Sequence, residues 1–165
     1  TRALANEGRT YKGILYGGLI LTKSGPRVIE FNCRFGDPEA QVVLPRLQND
    51  LADVAQAIVE GELQKLTLTW NNEACVGVVM ASGGYPEIYQ IGQEITGLDN
   101  VENDTMIFHA GTKLTSDGRI ISDGGRVLTV VGSGFDLNLA RRRAYQTISN
   151  IHLNDAFYRK DIADI

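Results

Sequence analysis

Long apolar runs are what the 165-residue sequence most plainly lacks. No stretch approaches the roughly 18 to 20 residues that a membrane-spanning helix needs, and the N-terminal TRALANEG has no apolar core of a signal peptide. Cysteine is nearly absent too. Cys33 and Cys75 are the two in the chain, far apart and outside any CxxC pair, which argues against a disulfide framework and against zinc. No basic stripe interleaves with aromatics, so broad nucleic-acid binding is not expected. Together these absences predict a soluble, cytoplasmic protein with reduced thiols, no membrane contact and no nucleic-acid partner.

What is present is an ordinary globular composition, 43% hydrophobic and 22% charged, long enough for one good core or two small ones. The net charge of -4 is unevenly spread: residues 51–104 carry nine acidic side chains and one basic, Lys65. The flanking thirds carry seven basic against five acidic and eight against six. That pattern fits either solvated surface or outer thirds that face a common anion.

Patterning divides the chain in two. A helix end at Arg2–Glu7 stops at Gly8; YKGILYGGLILT and RVIEFN read as a hairpin around KSGP. Asp37-Pro38 reads as an N-cap and first helical position for EAQVVLPRL, which Pro45 interrupts. A stronger helix follows Asp50, with Leu51, Val54, Ala55, Ile58 and Val59 as a core stripe and Gly61 as its stop. From about Leu66 short β-like runs dominate: LTLTW, ACVGVVMAS, a GGYP turn, EITGL, TMIFHAGTKL, RIIS and RVLTVV. DLNLARRRAYQTISNI then reads as a closing helix whose stripe is Leu137, Ala140, Ala144, Ile148 and Ile151. The expected class is α+β, with residues 1–65 as one domain and 66–165 as a second, β-rich one.

VIEFNCRFGDPE, residues 28–39, is the chemically unusual stretch. Val28, Glu30, Asn32 and Arg34 alternate with Ile29, Phe31, Cys33 and Phe35, which predicts a buried strand with one polar and one apolar face. A carboxylate and an amide oxygen two residues apart can share one hard cation such as Mg²⁺ carrying nucleotide phosphates, and Arg34 can meet a carboxylate or phosphoryl oxygen. The same spacing also suits a plain Glu30–Arg34 ion pair at a strand edge. Cys33, on the apolar face, reads as packed rather than nucleophilic.

KGILYGGLILTKSGPRVIEFNCRFGDPEAQVVLPRL resembles the C-terminal part of the ATP-grasp domain of the phosphoribosylamine-glycine ligase (glycinamide ribonucleotide synthetase) family of purine biosynthesis. ACVGVVMASGGYP, FHAGTK, GGRVL and FYRKDI resemble the same family's C-terminal domain, barrel- or sandwich-hybrid-like, and the likeness runs from about Lys12 to Ile162. It implies an ATP- and Mg²⁺-dependent (or Mn²⁺-dependent) ligase joining glycine to 5-phosphoribosylamine through a glycyl phosphate. Glu30 and Asn32 would hold the metal, and Arg34 would be catalytic beside the transferred phosphoryl group or the glycine carboxylate. It further implies that the phosphate-binding glycine-rich loop, the adenine pocket and the N-terminal domains lie upstream of Thr1, so the isolated chain is expected to fold but not to catalyse. A purine- or biotin-type ATP-grasp carboxylase, and a non-catalytic assembly module retaining an ATP-grasp remnant, are the alternatives.

A sugar-phosphate substrate requires an anion site. Lys113 after HAGT and Arg126 after the Gly124-Gly125 turn are candidates, the turn supplying a possible nest of backbone N–H groups; two solvated hairpin turns are the other reading. His109 reads as a satisfied structural histidine, and Arg141, Arg142 and Arg143 as a solvated helix face. GSGFDL lacks the third glycine and the βαβ setting of a dinucleotide fingerprint and reads as a turn before a helix.

Overall fold

A computed structural model of the chain describes residues 1–164 as two compact units. Thr1–Ala40 with Leu47–Asn71 form the first, and Gln41–Arg46 with the chain from Asn72 onward form the second.

The first unit starts with α1 (Arg2–Asn6), after which Gly8 takes a left-handed φ of 74°. Its centre is an antiparallel hairpin of β1 (Tyr16–Thr22) and β2 (Gly25–Asn32) closed by Lys23-Ser24. Register runs from Thr22↔Gly25 to Tyr16↔Asn32, with a bulge between Gly18 and Leu19. The strand expected to be buried is not: both of its faces are open, and Ile29 and Phe31 are 68% and 64% exposed. Cys33 is likewise exposed rather than packed. A two-stranded ribbon has no second layer to bury either face against, whatever its residue alternation.

α2 (Glu39–Val43) begins after a turn at Asp37-Pro38, so Pro38 is not the first helical position. Pro45 converts the end of that helix into a short 3₁₀ segment, Leu44–Arg46. α3 (Leu51–Glu60) has the expected ends: the Asp50 carboxylate accepts from the Ala52 N–H at 2.8 Å, and Gly61 is left-handed at φ 76°. Its apolar stripe departs from expectation, since within it only Val54 is buried and Val59 is 71% exposed. LTLTW forms no strand; Trp70 makes an isolated bridge to Leu47, and Asn49 Oδ1 accepts from the Thr69 N–H at 2.7 Å.

The second unit holds the core. Its sheet has the order β4-β7-β3-β8, built from β3 (Ala74–Ala81), β4 (Thr105–His109), β7 (Arg126–Gly134) and the two-residue β8 (Phe157–Tyr158), with antiparallel pairing throughout. β5 (Thr112–Leu114) and β6 (Ile120–Ser122) form a separate hairpin. EITGL contributes bridges, not a strand. α4 (Leu137–Ser149) lies across β7 and β3, burying Ala140, Ala144 and Ile148 against Val76, Val78, Val130 and Leu128. Each buried Val, Leu or Ile side chain here contributes about 1.5 to 3 kcal/mol of transfer free energy, and each Ala methyl about 0.8 kcal/mol. Leu137, at the start of the expected stripe, stays largely exposed.

Small residues let the helix come this close. A Cβ on Gly132 would collide with the Ala140 carbonyl and the Ala144 amide, and one on Gly134 would meet Leu139 and the Ala140 amide. GSG is thus the end of β7 and not a turn; Asp136 caps α4 by accepting from the Leu139 N–H at 2.7 Å. Nor is the arginine run a solvated face. Arg141 donates to the Ile162 and Lys160 carbonyls at 2.9 Å each, and Arg143 donates to the Ser133 carbonyl at 2.7 Å and pairs with Asp104 at 2.8 Å. Arg142, between them, is the exposed one. Among the described residues no helix is long and apolar enough to cross a membrane.

Gly132→Ala places its methyl against backbone atoms that cannot rotate away. Calorimetry should show a loss on the order of 3 kcal/mol, roughly 10 °C in melting temperature, while Arg142→Ala stays within about 0.5 kcal/mol. Equal melting temperatures for the two variants would contradict the close helix-strand packing.

Candidate functional site

The hairpin register assembles a polar cluster at the exit of β2. Pairing places Asn32 opposite Tyr16 and Glu30 opposite Gly18, so all four positions lie on one face. Gly18 leaves space there, because a Cβ at that position would press on Glu30 Cγ at 3.3 Å. Asn32 Nδ2 donates to Glu30 Oε1 at 2.8 Å, which leaves Glu30 Oε2 and Asn32 Oδ1 without a hydrogen bond among the described residues. Two uncommitted oxygens on adjacent, mutually fixed side chains are the chemistry of a partial shell for a hard cation that keeps several waters. No cluster of three or more His, Cys, Asp or Glu side chains suited to a metal occurs among the described residues. The donors present would supply only part of a hard cation's shell.

Arg34 lies beyond the strand. Its Nη1 donates to the Phe35 carbonyl at 2.7 Å, and it forms no ion pair with Glu30, so that alternative is not realised. The guanidinium is exposed, with donors left for an anion.

Sequence reading missed two members of the cluster. Tyr16 donates its phenol to Glu39 Oε1 at 2.9 Å, and the Glu39 side chain folds back over Gly36, where a Cβ would displace the carboxylate. The hydrogen bond to Glu39 is the main reason the Tyr16 phenol is raised above its ordinary value, with partial desolvation next and the charges of Glu39 and Glu30 adding to it. Glu39 was visible in GDPE, but its partner is 23 residues away and follows only from the hairpin register.

A second constellation lies wholly within the C-terminal unit. HAGTK and DGGR, separate turns in sequence, are laced together: Ala110 N–H donates to the Val127 carbonyl at 3.0 Å, Gly111 N–H to Arg126 at 2.9 Å and Asp123 N–H to Gly111 at 2.7 Å. This brings the segment bearing His109 and Lys113 against the one bearing Arg126. His109 Nδ1 is 3.0 Å from Thr112 Oγ1, a satisfied histidine as expected. The nest is not formed as anticipated. Neither Gly124 nor Gly125 has positive φ; Gly124 is glycine because it abuts Gly111, and Gly125 because Tyr85 lies over it. Lys113 and Arg126 are both exposed at this junction.

Comparison with known proteins now discriminates among the readings. Residues 75–165 match the family model "Phosphoribosylglycinamide synthetase, C domain", and residues 1–40 match "Phosphoribosylglycinamide synthetase, ATP-grasp (A) domain". The chain belongs to the phosphoribosylglycinamide synthetase family. It is 48% identical over 163 residues to phosphoribosylamine–glycine ligase of Escherichia coli O157:H7, and 47% identical over 161 residues to that of Halalkalibacterium halodurans. Each match covers 98% of this chain, which spans 38% and 37% of the length of those relatives. A crystal structure of phosphoribosylamine–glycine ligase from Thermotoga maritima superposes with a TM-score of 0.82 at 33% identity, over 98% of this chain and 40% of that one. The α+β synthetase fold expected from the sequence is therefore the fold observed.

Glu39→Gln keeps the size of the side chain and removes its charge. The Tyr16 phenol, resolved in a tyrosine NMR titration by comparison with Tyr16→Phe, should then fall toward the ordinary value of 10.0. Because the folded-state value is raised, the interaction stabilises the protein fully below that ordinary value and is lost as pH rises through the folded one. A Tyr16 titration unmoved by Glu39→Gln would mean that the hydrogen bond does not persist in solution.

Proposed function

We propose that this chain supplies the metal-binding strand and the C domain of a phosphoribosylamine–glycine ligase, a cytoplasmic enzyme of purine biosynthesis. Residues 1–65 serve as the end of the ATP-grasp domain and 66–165 as the C domain. One observation carries the reading. In a chain matching two successive models of this synthetase, the Glu30 and Asn32 head groups are locked together at 2.8 Å with one oxygen each left over.

The reaction is ATP-dependent amide formation. The glycine carboxylate attacks the γ-phosphorus of ATP, giving glycyl phosphate and ADP. The amine of 5-phosphoribosylamine then attacks the acyl carbon, a proton leaves the nitrogen, and inorganic phosphate departs to give glycinamide ribonucleotide. Negative charge gathers on phosphoryl oxygens in the first step, so positioning and electrostatics supply most of the rate. Glu30 and Asn32 are the residues that would hold Mg²⁺ or Mn²⁺, which when bound would neutralise part of that charge. Arg34, with its exposed forked donors, would orient the glycine carboxylate or the phosphoryl group. Tyr16 and Glu39 hold the neighbouring face of the hairpin in place. Lys113 and Arg126, joined by the interlaced turns, would take the substrate's 5-phosphate. The remaining chain length found in the relatives would provide the ATP-phosphate loop and cover the open apolar faces of the hairpin and α3, making those N-terminal domains the chain's principal protein partner.

The test uses the full-length protein carrying this sequence. Glu30→Gln and Asn32→Ala should each lower glycine-dependent ADP formation about 100-fold, with unchanged melting temperature and partial recovery at excess Mg²⁺. Fully active variants would reduce the polar face to a structural feature.

A further inference from the structure

Three glycine-bearing turns mark the C-terminal sequence, and the function described above draws on two of them. ASGGYP, residues 81–86, is the third. The register of β3 with β7 sets Ala81 opposite Arg126, so this turn leaves the sheet beside the residue that opens β7. Ser82, the next residue, is 3% exposed, which is unusual for a serine in a turn.

Its burial is explained by what it holds. Arg126 follows two successive glycines, whose backbone is the least restricted of any residue, so nothing local fixes the direction in which the arginine leaves the chain. Contacts from the two other turns fix it. The Ser82 hydroxyl donates to the Gly124 carbonyl at 2.9 Å, the Ser82 N–H to the Gly125 carbonyl at 2.8 Å, and the Gly111 N–H to the Arg126 carbonyl at 2.9 Å. Three successive carbonyls are thereby held. Tyr85, whose N–H donates to the Ser82 carbonyl at 3.1 Å, lays its ring edge over the buried Gly125, where a methyl group would displace it. Tyr89 supports that ring at a centroid distance of 6.1 Å.

We propose that Ser82 and Tyr85 are positioning residues for Arg126, acting through the Gly124–Arg126 backbone to aim its guanidinium at an anion. A forked donor gives directional recognition when the backbone that carries it is fixed; on a loose glycine turn the same charge is spread over many positions. Ser82 and Tyr85 need not touch the ligand for this. The role rests on the reading under Proposed function in which Arg126 takes the substrate's 5-phosphate.

The test is a double-mutant cycle in the full-length protein carrying this sequence, with KM and kcat measured for each substrate. Ser82→Ala, Tyr85→Ala and Gly125→Ala should each raise KM for 5-phosphoribosylamine about tenfold, with kcat and KM for glycine and ATP unchanged. Tyr85→Phe, which keeps the ring, should behave as wild type. In an Arg126→Ala background, itself raised in that KM, Tyr85→Ala should add nothing further. If Ser82→Ala melts too low to assay, Tyr85→Ala and Gly125→Ala decide. The proposal is overturned if these variants leave KM for 5-phosphoribosylamine unchanged, if they raise it for all three substrates alike, or if the Tyr85→Ala penalty persists in full without Arg126. Any of these results, with KM still raised by Arg126→Ala alone, removes the positioning role and leaves the 5-phosphate reading in place. An Arg126→Ala enzyme with unchanged KM would remove both.

Discussion

The approach of α4 to β7 at Gly132 is the contact on which the C-terminal unit depends. β7 is buried along almost its whole length, with one face under α4. On the other face, Gly77 of β3 lies against Thr129 and Val131 of β7 and against Val42 of the Gln41–Arg46 segment. A strand covered on both faces needs apolar residues at every position rather than alternate ones, and VLTVV meets that requirement. Because α4 sits so low on the sheet, Arg141 reaches past the core to the Ile162 and Lys160 carbonyls, and Arg143 to the Ser133 carbonyl of β7 and the Asp104 carboxylate just before β4. Burial and polar anchoring are therefore one arrangement.

The hairpin of the first unit obeys a different constraint. Its stability rests on backbone pairing and on few side-chain contacts, because neither face has a packed layer over it. What the pairing provides is register. Tyr16 faces Asn32 and Gly18 faces Glu30, and the missing side chain at Gly18 gives the carboxylate room to meet the amide. A one-residue slip would send Glu30 and Asn32 to the opposite face and break the cluster. The site chemistry is thus a consequence of strand pairing, with Tyr16 and Glu39 as its lateral support.

Elements with strong local signals were legible in sequence. Asp50 and Gly61 bounded α3, Pro45 ended the preceding helix, Ala140, Ala144 and Ile148 marked the buried face of α4, and the alternation from Val28 placed Glu30 beside Asn32. Failures cluster where the environment decides. Val59 and Phe31 have the right periodicity for burial, yet periodicity states only which residues share a face and not whether another layer covers it. LTLTW has β propensity but no neighbouring strand to pair with beyond the Leu47 bridge. Arg141 and Arg143 look like surface charge because a sequence does not display the carbonyls, up to 21 residues away, that receive them.

By itself, then, the sequence determined the α+β class and the pairing of a carboxylate with an amide at alternate positions, both set by interactions within a few residues. Tertiary structure alone decided that HAGTK and DGGR form one junction and that Gly124 and Gly125 serve close packing and not a nest. Those outcomes depend on contacts between segments far apart in the chain, and steric fit across such contacts has no local signature.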